Sequence, residues 1–365
     1  MRGLLGSVLL GGAVASGCVP SLDGAERVLV YDYVDEDLGL VEAPLRIATD
    51  DLVQGRSPQT QILIGGELRF GANGIEASGG RVPILPARVD DGLLVPDDGD
   101  ALSFFSFLVH LQTASEWFLD REMADSRLFA DLGSRYELFV PTATEWRDQA
   151  DNAGYFPPTH DFFLGPNERA PGAPIMASPG VVGHELGHAV QVATGASGSL
   201  RAGCLGDTNR AACRTINGMD EGLSDLWAAG IWPDPAFVLK NFGDRAADRD
   251  MRDLKPLPED LLNGTLSDTE DGALDSWDPH TPGAIWASWW WAIGEELGDD
   301  GLDRVITLSW SMTRAIGALD PDATFGVVEM CDLFLADATA DERSVACAVF
   351  VEQLGDAAEG LTRCE

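Results

Sequence analysis

The ten residues from Val181 to Val190, reading Val-Val-Gly-His-Glu-Leu-Gly-His-Ala-Val, constrain this chain more than any other stretch. On a helix, positions four apart share one face, so His184 and His188 turn two imidazole nitrogens toward one point, as a tetrahedral metal ion requires. Glu185, one position past the first imidazole, reaches a water at that point rather than the ion, which is where a general base belongs. Ser178 suits an N-cap, Pro179 the first helical position and Gly195 the stop. The spacing therefore predicts a helix that opens at Pro179 and closes at Gly195.

Two imidazoles need a third protein ligand. A histidine one further turn along is excluded, because Gln191 and Thr194 occupy the positions where that pattern needs Gly and His. Downstream, Glu221 and Asp225 again stand four apart on a predicted helix. One carboxylate there can complete the donor set, and the other can accept the remaining ring N–H of a ligating imidazole, fixing its tautomer. This pair resembles the second motif, E-x-x-x-D, of thermolysin-type and fungalysin-type zinc metallopeptidases. The segment His280-Thr281-Pro282-Gly283-Ala284-Ile285-Trp286-Ala287 is similar to the H-x-x-G-x-x-W-A segment of the fungalysin group. Asn152-Ala153-Gly154-Tyr155 resembles the Asn-Ala-x-aromatic edge strand of the same enzymes.

The resemblance implies a zinc metalloendopeptidase. Zn²⁺ would be held by His184, His188 and Glu221, with Asp225 behind His184. Glu185 would act as base, His280 as donor to the oxyanion, and Asn152 and Ala153 would hold a peptide or protein substrate by strand addition. It also implies an α+β, thermolysin-like, two-lobed fold: a β-rich N-terminal lobe with long helices, a mainly helical C-terminal lobe, and the zinc helix between them. The chain departs from the pattern in three places. The interval from His188 to Glu221 is long, with a Cys204/Cys213 segment in the excess. Ala212 and Cys213 stand where thermolysin carries an assisting tyrosine. Ser178-Pro179-Gly180 replaces an acidic, calcium-serving residue, so a Ca²⁺ requirement does not carry over, although Asp268-Thr269-Glu270-Asp271-Gly272 remains a candidate calcium loop. Two other readings stay open: a zinc-binding surface lipoprotein that does not hydrolyse peptides, and a zinc hydrolase of a non-peptide amide or ester. The presence of Glu185 speaks against the first and the edge strand at Asn152 against the second.

The N-terminus reads as an export signal. Met1-Arg2 is a basic start, and Gly3 to Val14 is apolar but too short to span a bilayer. Ala15-Ser16-Gly17-Cys18 resembles a bacterial lipobox, which makes Cys18 the lipidated residue and places the protein in the cell envelope, in contact with a membrane only through that anchor. Ala13-x-Ala15 also fits an ordinary signal-peptidase site and a free secreted protein. With 24 Lys+Arg against 60 Asp+Glu and a formal net charge of −36, nucleic acid and anionic lipid surfaces are poor partners.

Export makes disulfides plausible. Cys204 and Cys213 are the expected pair; among Cys331, Cys347 and Cys364 the pairing stays open, Cys331 being able to take either of the other two, with one thiol left over unless it crosslinks chains. Residues 1–17 read as signal, 18–26 as linker, 27–195 as an α/β lobe ending in the His-Glu-x-x-His helix, and 196–365 as a helical lobe. Strands are expected at Arg27 to Val34, within Gln61 to Phe70, and at Tyr136 to Pro141. Ala101 to Arg121 has the spacing of a long amphipathic helix, and Ala284 to Leu297, Leu302 to Ile316, Phe325 to Ala336 and Ser344 to Leu354 are predicted helices. His110 and His160 are expected to be structural, and Trp286 with Trp289-Trp290-Trp291 to be helix packing.

Overall fold

The computed structural model describes residues 22–34, 37–71, 74–130, 132–136, 153–165, 175–195, 198–204, 207, 210–242, 249–258, 261 and 278–364. The expected export signal, Cys18, Asn152 and the acidic loop at Asp268 to Gly272 lie outside them. The architecture is mixed α+β: strands precede Gly165 and, from Pro179 onward, the chain is helical.

The alternation at Arg27–Val34 (β1) does form a strand, with Val28 and Val30 fully buried. It runs antiparallel to Asp37–Pro44 (β2). A short helix, Thr49–Val53 (α1), leads to Thr60–Ile64 (β3) and Glu67–Gly71 (β4). The strand-like run from Gln61 to Phe70 is thus two strands. Gly65 and Gly66, with φ of 74° and 102°, turn the chain between them, and a Cβ on Gly66 would sit 2.7 Å from the Ser78 carbonyl oxygen. Next come Gly74–Ser78 (β5), Ala87–Asp90 (β6) and Leu93–Pro96 (β7). The long helix Gly99–Asp120 (α2) follows, its first turn capped by Asp98 accepting from the Ala101 N–H at 2.8 Å. Phe104, Phe105, Phe107, Leu108, Leu111 and Phe118 are all buried, so α2 is a core helix. It docks on β1 through polar contacts: Ser106 Oγ accepts from the Tyr31 N–H at 2.8 Å, and His110 Nε2 donates to the Tyr31 carbonyl at 2.6 Å.

After Ser126–Ala130 (α3) the chain forms Leu132–Tyr136 (β8), Ala153–Phe156 (β9) and Asp161–Leu164 (β10). Of the expected strand at Tyr136 to Pro141 only Tyr136 lies within the described residues, where it belongs to β8, and residues 137–141 lie outside them. Gly-Ser-Arg has little strand preference, and tertiary partners hold it instead. The Thr60 hydroxyl contacts Ser134 Oγ at 2.9 Å and donates to the Leu132 carbonyl at 2.7 Å, while Arg135 pairs with Asp161 at 3.1 Å. One sheet has the order β2-β1-β7-β6. A second has the order β3-β8-β10-β9, with β9 antiparallel on its edge, and β4 and β5 form a ribbon.

The helical part comprises Pro179–Thr194 (α4), Leu200–Cys204 (α5), Ala211–Ile231 (α6), Phe237–Phe242 (α7), His280–Leu297 (α8), Gly301–Gly317 (α9), Val327–Phe334 (α10) and Ala340–Leu354 (α11). One hydrophobic cluster runs from Val28 through Phe162, Leu186, Trp227 and Trp286 to Leu361, so sheets and helices share a core. The tryptophans of α8 are packing residues: Trp289 meets Phe350, and Trp290 stacks on Phe334 at 6.3 Å.

Disulfides join Cys204 to Cys213, as expected, and Cys347 to Cys364. Of the three cysteines whose pairing was open, Cys331 is the thiol left over. Its side chain is buried inside α10, 1% exposed, whereas Cys347 and Cys364 face each other with Cα atoms 5.6 Å apart. Burial pushes the Cys331 thiol far above its ordinary pKa, which keeps it inert.

At the start of α11, Thr339 and Glu342 form a reciprocal capping box, and Glu342 also accepts from Arg304. The Arg304 hydrogen bond, followed by the Thr339 contacts, overcomes partial desolvation and lowers the Glu342 carboxyl to about 2. A depressed folded pKa contributes stability above the unfolded value, near 4.3, that is lost as pH falls toward the folded one. The urea midpoint of the parent should therefore exceed that of Glu342→Gln at pH 6, with the gap closing between pH 4.5 and pH 2.5. A gap independent of pH in that range would contradict the assignment.

Candidate metal centre and active site

Three helices bring the candidate residues together, and small residues set how closely they approach. A Cβ on Gly187 of α4 would lie 2.9 Å from Ser224 Oγ and 3.3 Å from Ser224 Cβ on α6. A Cβ on Gly222 of α6 would lie 2.5 Å from the Gly283 carbonyl oxygen on α8. Backbones this close carry His184 and His188 of α4, Glu221 and Asp225 of α6, and His280 at the first turn of α8 into one locus. The N-terminus of α4 is held differently from the sequence expectation. Ser178 is the N-cap residue, but its hydroxyl makes no capping bond and instead meets the buried Tyr33 hydroxyl at 3.0 Å, tying α4 to β1.

The imidazole Nε2 atoms of His184 and His188 are 3.1 Å apart. Glu221 reaches both: Oε2 is 3.3 Å from His184 Nε2 and Oε1 is 3.6 Å from His188 Nε2. Metal–ligand bonds of about 2.0–2.2 Å at the tetrahedral angle place neighbouring donors roughly 3.3–3.6 Å apart, so these separations are close to the edges of one tetrahedron. Glu221 Oε2 is buried and makes no well-aligned hydrogen bond, although the Nε2 atoms of His184 and His280 stand 3.3 and 3.4 Å away, a costly state for a carboxylate unless a cation faces it. The donor set thus fits a zinc-sized ion. Glu185 also lies near, with ligand atoms of His184, Glu185 and His188 within 4.8 Å of one another. Its carboxylate is engaged elsewhere, however. Oε2 accepts the Tyr155 backbone N–H at 2.7 Å, and Oε1 stays 4.0 Å from His184 Nε2. By these distances Glu221 fits as a third ligand better than Glu185, whose Oε1 is left facing the donor set.

The far nitrogens are fixed as well. His184 Nδ1 donates to Asp225 Oδ1 at 2.8 Å, leaving the Nε2 lone pair for the cluster. Asp225, 1% exposed, takes a second partner in Arg249, whose Nη2 donates to Oδ1 at 2.7 Å and whose Nε donates to Oδ2 at 3.2 Å. Ser224 Oγ faces His188 Nδ1 at 3.3 Å. His280 Nδ1 pairs with Asp278, and its Nε2 lies 3.4 Å from Glu221 Oε2.

The electrostatics report a surplus of buried negative charge. Burial works against a charged His184, but the Asp225 carboxylate and then Glu221 raise it to about 10. Burial would raise the Glu221 carboxyl, yet His280, His188 and His184 hold it well below the usual range. For Asp225, Arg249 and then His184 outweigh desolvation and lower it. Glu221, opposing burial and assisted by Asp278, raises His280. The carboxylates thus favour the protonated forms of His184 and His280.

These groups line a cavity of ≈ 290 Å³ whose walls include Ala153, Gly154, Phe163, Val181, Phe237 and Arg249. Of the residues singled out in the sequence, His184, Glu185, His188, Glu221, His280 and Ala153 line it, and Asp225 lies directly behind His184. His110 and His160 do not, each being bonded to a backbone carbonyl in the fold. Sequence reasoning missed Arg249, Ser224, Asp278 as the partner of His280, and the Tyr155 N–H. Asp278 stands two residues before His280, a spacing that a search for local side-chain partners would catch. Arg249 carries no local signal, since only the fold brings it to Asp225. No protein-family model matches the chain, and no curated protein matches it either.

Because α6 and α8 touch at Gly222, an added methyl there forces the helices apart. Gly222→Ala should lower stability by about 1–3 kcal/mol in urea unfolding, the usual cost of overpacking. An equal or higher midpoint would contradict the close crossing.

Proposed function

We propose that this chain is an exported zinc metalloendopeptidase with a thermolysin-like two-lobed fold, in which His184, His188 and Glu221 hold the ion. The observation that carries the reading is the Glu221 carboxylate, its Oε2 buried and without a hydrogen bond, facing the His184 imidazole through Oε2 and the His188 imidazole through Oε1 at separations near those of a tetrahedral donor set, with the Glu185 carboxylate alongside. Zinc bound there supplies Lewis acidity, polarising a carbonyl and acidifying water.

The residues of the chain divide the remaining work. Glu185 is oriented by the Tyr155 N–H on Oε2, which leaves Oε1 facing the donor set. That oxygen takes the proton from attacking water and returns it to the leaving amine. His280 donates from Nδ1 to Asp278, and the Glu221 carboxylate, assisted by Asp278, favours its charged form, so the imidazolium also carries a proton on Nε2 and donates it to the carbonyl oxygen as negative charge develops. Edge strand β9 supplies Ala153 and Gly154 to the cavity wall, where an extended peptide can add as the next strand. The same strand holds Glu185, so the base and the substrate rail share one support. Val181, Phe163, Phe237 and Val238 form the apolar part of the wall. Two disulfides suit an oxidising compartment, and no helix among the described residues is long and apolar enough to cross a membrane.

Glu185→Gln keeps the shape and the metal ligands but removes the base. It should retain one zinc per chain by metal analysis and lose about 10²–10⁴-fold in cleavage of quenched peptides. Cleavage within tenfold of the parent would sink the mechanism. A zinc-loaded parent that cleaves no peptide would sink the peptidase reading.

A further inference from the structure

The long interval between His188 and Glu221 carries a disulfide-closed segment that the mechanism leaves unused. We propose that this segment is a positioning element for the metal centre, delivering Arg201 to a buried polar relay that ends on His188. The inference rests on the metal reading above.

The relay follows one face of α6. Positions 213, 217, 220 and 224 recur at helical spacing and form a single stripe. Each is tied to the segment or to α4. Cys213 is bonded to Cys204 at the end of α5. Asn217 Nδ2 donates to the Asp207 carbonyl at 3.2 Å. Asp220 Oδ1 pairs with Arg201 Nη1 of α5 at 2.8 Å. Ser224 Oγ accepts from Gln191 Nε2 at 3.0 Å and faces His188 Nδ1 at 3.3 Å. Gln191 joins positions 220 and 224 of the stripe to Arg201: its Nε2 also donates to the Asp220 carbonyl at 2.7 Å, and its Oε1 accepts from Arg201 Nη1 at 3.5 Å.

Arg201 is 1% exposed, and Gln191 and Ser224 are fully buried. A buried guanidinium is tolerated only opposite a carboxylate, and Asp220 is the neighbour of ligand Glu221 in the chain. Arg201 therefore fixes the Gln191 amide, with its oxygen toward the guanidinium and its NH₂ toward Ser224. With that NH₂ donating to Ser224 Oγ, the hydroxyl proton is free to point elsewhere and Oγ orients the His188 ring from behind. Asp225 does the same for His184 by a direct bond. The two metal-binding histidines thus have separate supports, one carboxylate and one relay, and the disulfide anchors the second.

The test measures metal binding, not turnover. Full-length protein is stripped with chelator, and Zn²⁺ affinity is read by competition with a chromophoric chelator, with the visible spectrum of the Co²⁺-substituted protein reporting ligand geometry. Ser224→Ala, a small change inside α6, should weaken Zn²⁺ binding by about 10–100-fold, as loss of outer partners does, and shift the Co²⁺ bands. Its metal-free circular dichroism should match the parent. Arg201→Gln should weaken binding in the same direction and Arg201→Lys should recover part of it. Should Arg201→Gln fail to fold, Ser224→Ala and the double change Cys204→Ser/Cys213→Ser still decide the question. Zn²⁺ affinity within twofold of the parent and an unshifted Co²⁺ spectrum in Ser224→Ala would overturn the relay while leaving the zinc reading intact. A parent that binds no Zn²⁺ would overturn both.

Discussion

The structure is organised around the problem of keeping carboxylates on the inner face of one helix. Helix α6 carries Asp220, Glu221 and Asp225 into a low-dielectric interior, where an uncompensated anion is strongly unfavourable. Two of the three have their own cation: Asp220 meets Arg201, and Asp225 meets Arg249. Glu221 is different. Arg249 comes no closer to it than 4.0 Å, and imidazole nitrogens are its nearest partners. The charge balance of the helix is therefore incomplete at one position, and that position faces two histidines at the spacing of a ligand set.

Close packing makes this arrangement possible. Helices crossing at ordinary distance would leave the imidazoles of α4 and the carboxylates of α6 too far apart to share an ion. Gly187 against Ser224, and Gly222 against Gly283, remove the side chains that would hold the backbones away from each other. The energetic consequence is that the centre is coupled to the core: Leu186, Leu223, Trp227 and Trp286, on the same three helices, belong to one hydrophobic cluster. A change in helix spacing moves the clustered imidazoles and carboxylates together with the core, so stability and the geometry of the cluster are linked.

Glu185 shows how parts of the chain far apart in sequence are made to cooperate. Glu185 lies on α4, yet its carboxylate is aimed by a backbone N–H of β9, thirty residues earlier. A backbone donor is set by the sheet and cannot rotate away. The exposed edge of the second sheet is thus the element that orients the Glu185 carboxylate beside it.

Much of this was legible in the sequence because helical spacing is local. His184 with His188, and Glu221 with Asp225, are four apart, so the helix alone fixes which pairs share a face. β1 and α2 were readable from apolar periodicity, and Cys204 with Cys213 from their nearness in the chain. Other features were not, because they depend on contacts between distant segments. The strand at Leu132–Tyr136 has a weak local preference and exists because Thr60 and Asp161 hold it. Ser178 gave up its expected cap for Tyr33, and the depth of its burial keeps Cys331 from both candidate partners. The sequence by itself determined which side chains present metal-binding and basic atoms, because spacing along one helix is a property of that helix. Only the tertiary structure decided that Glu221 closes on both imidazoles while Glu185 turns one oxygen to the Tyr155 N–H, and that Arg249 stands behind Asp225 and Ser224 behind His188. Those assignments depend on how closely separate elements approach, and that distance is set by packing.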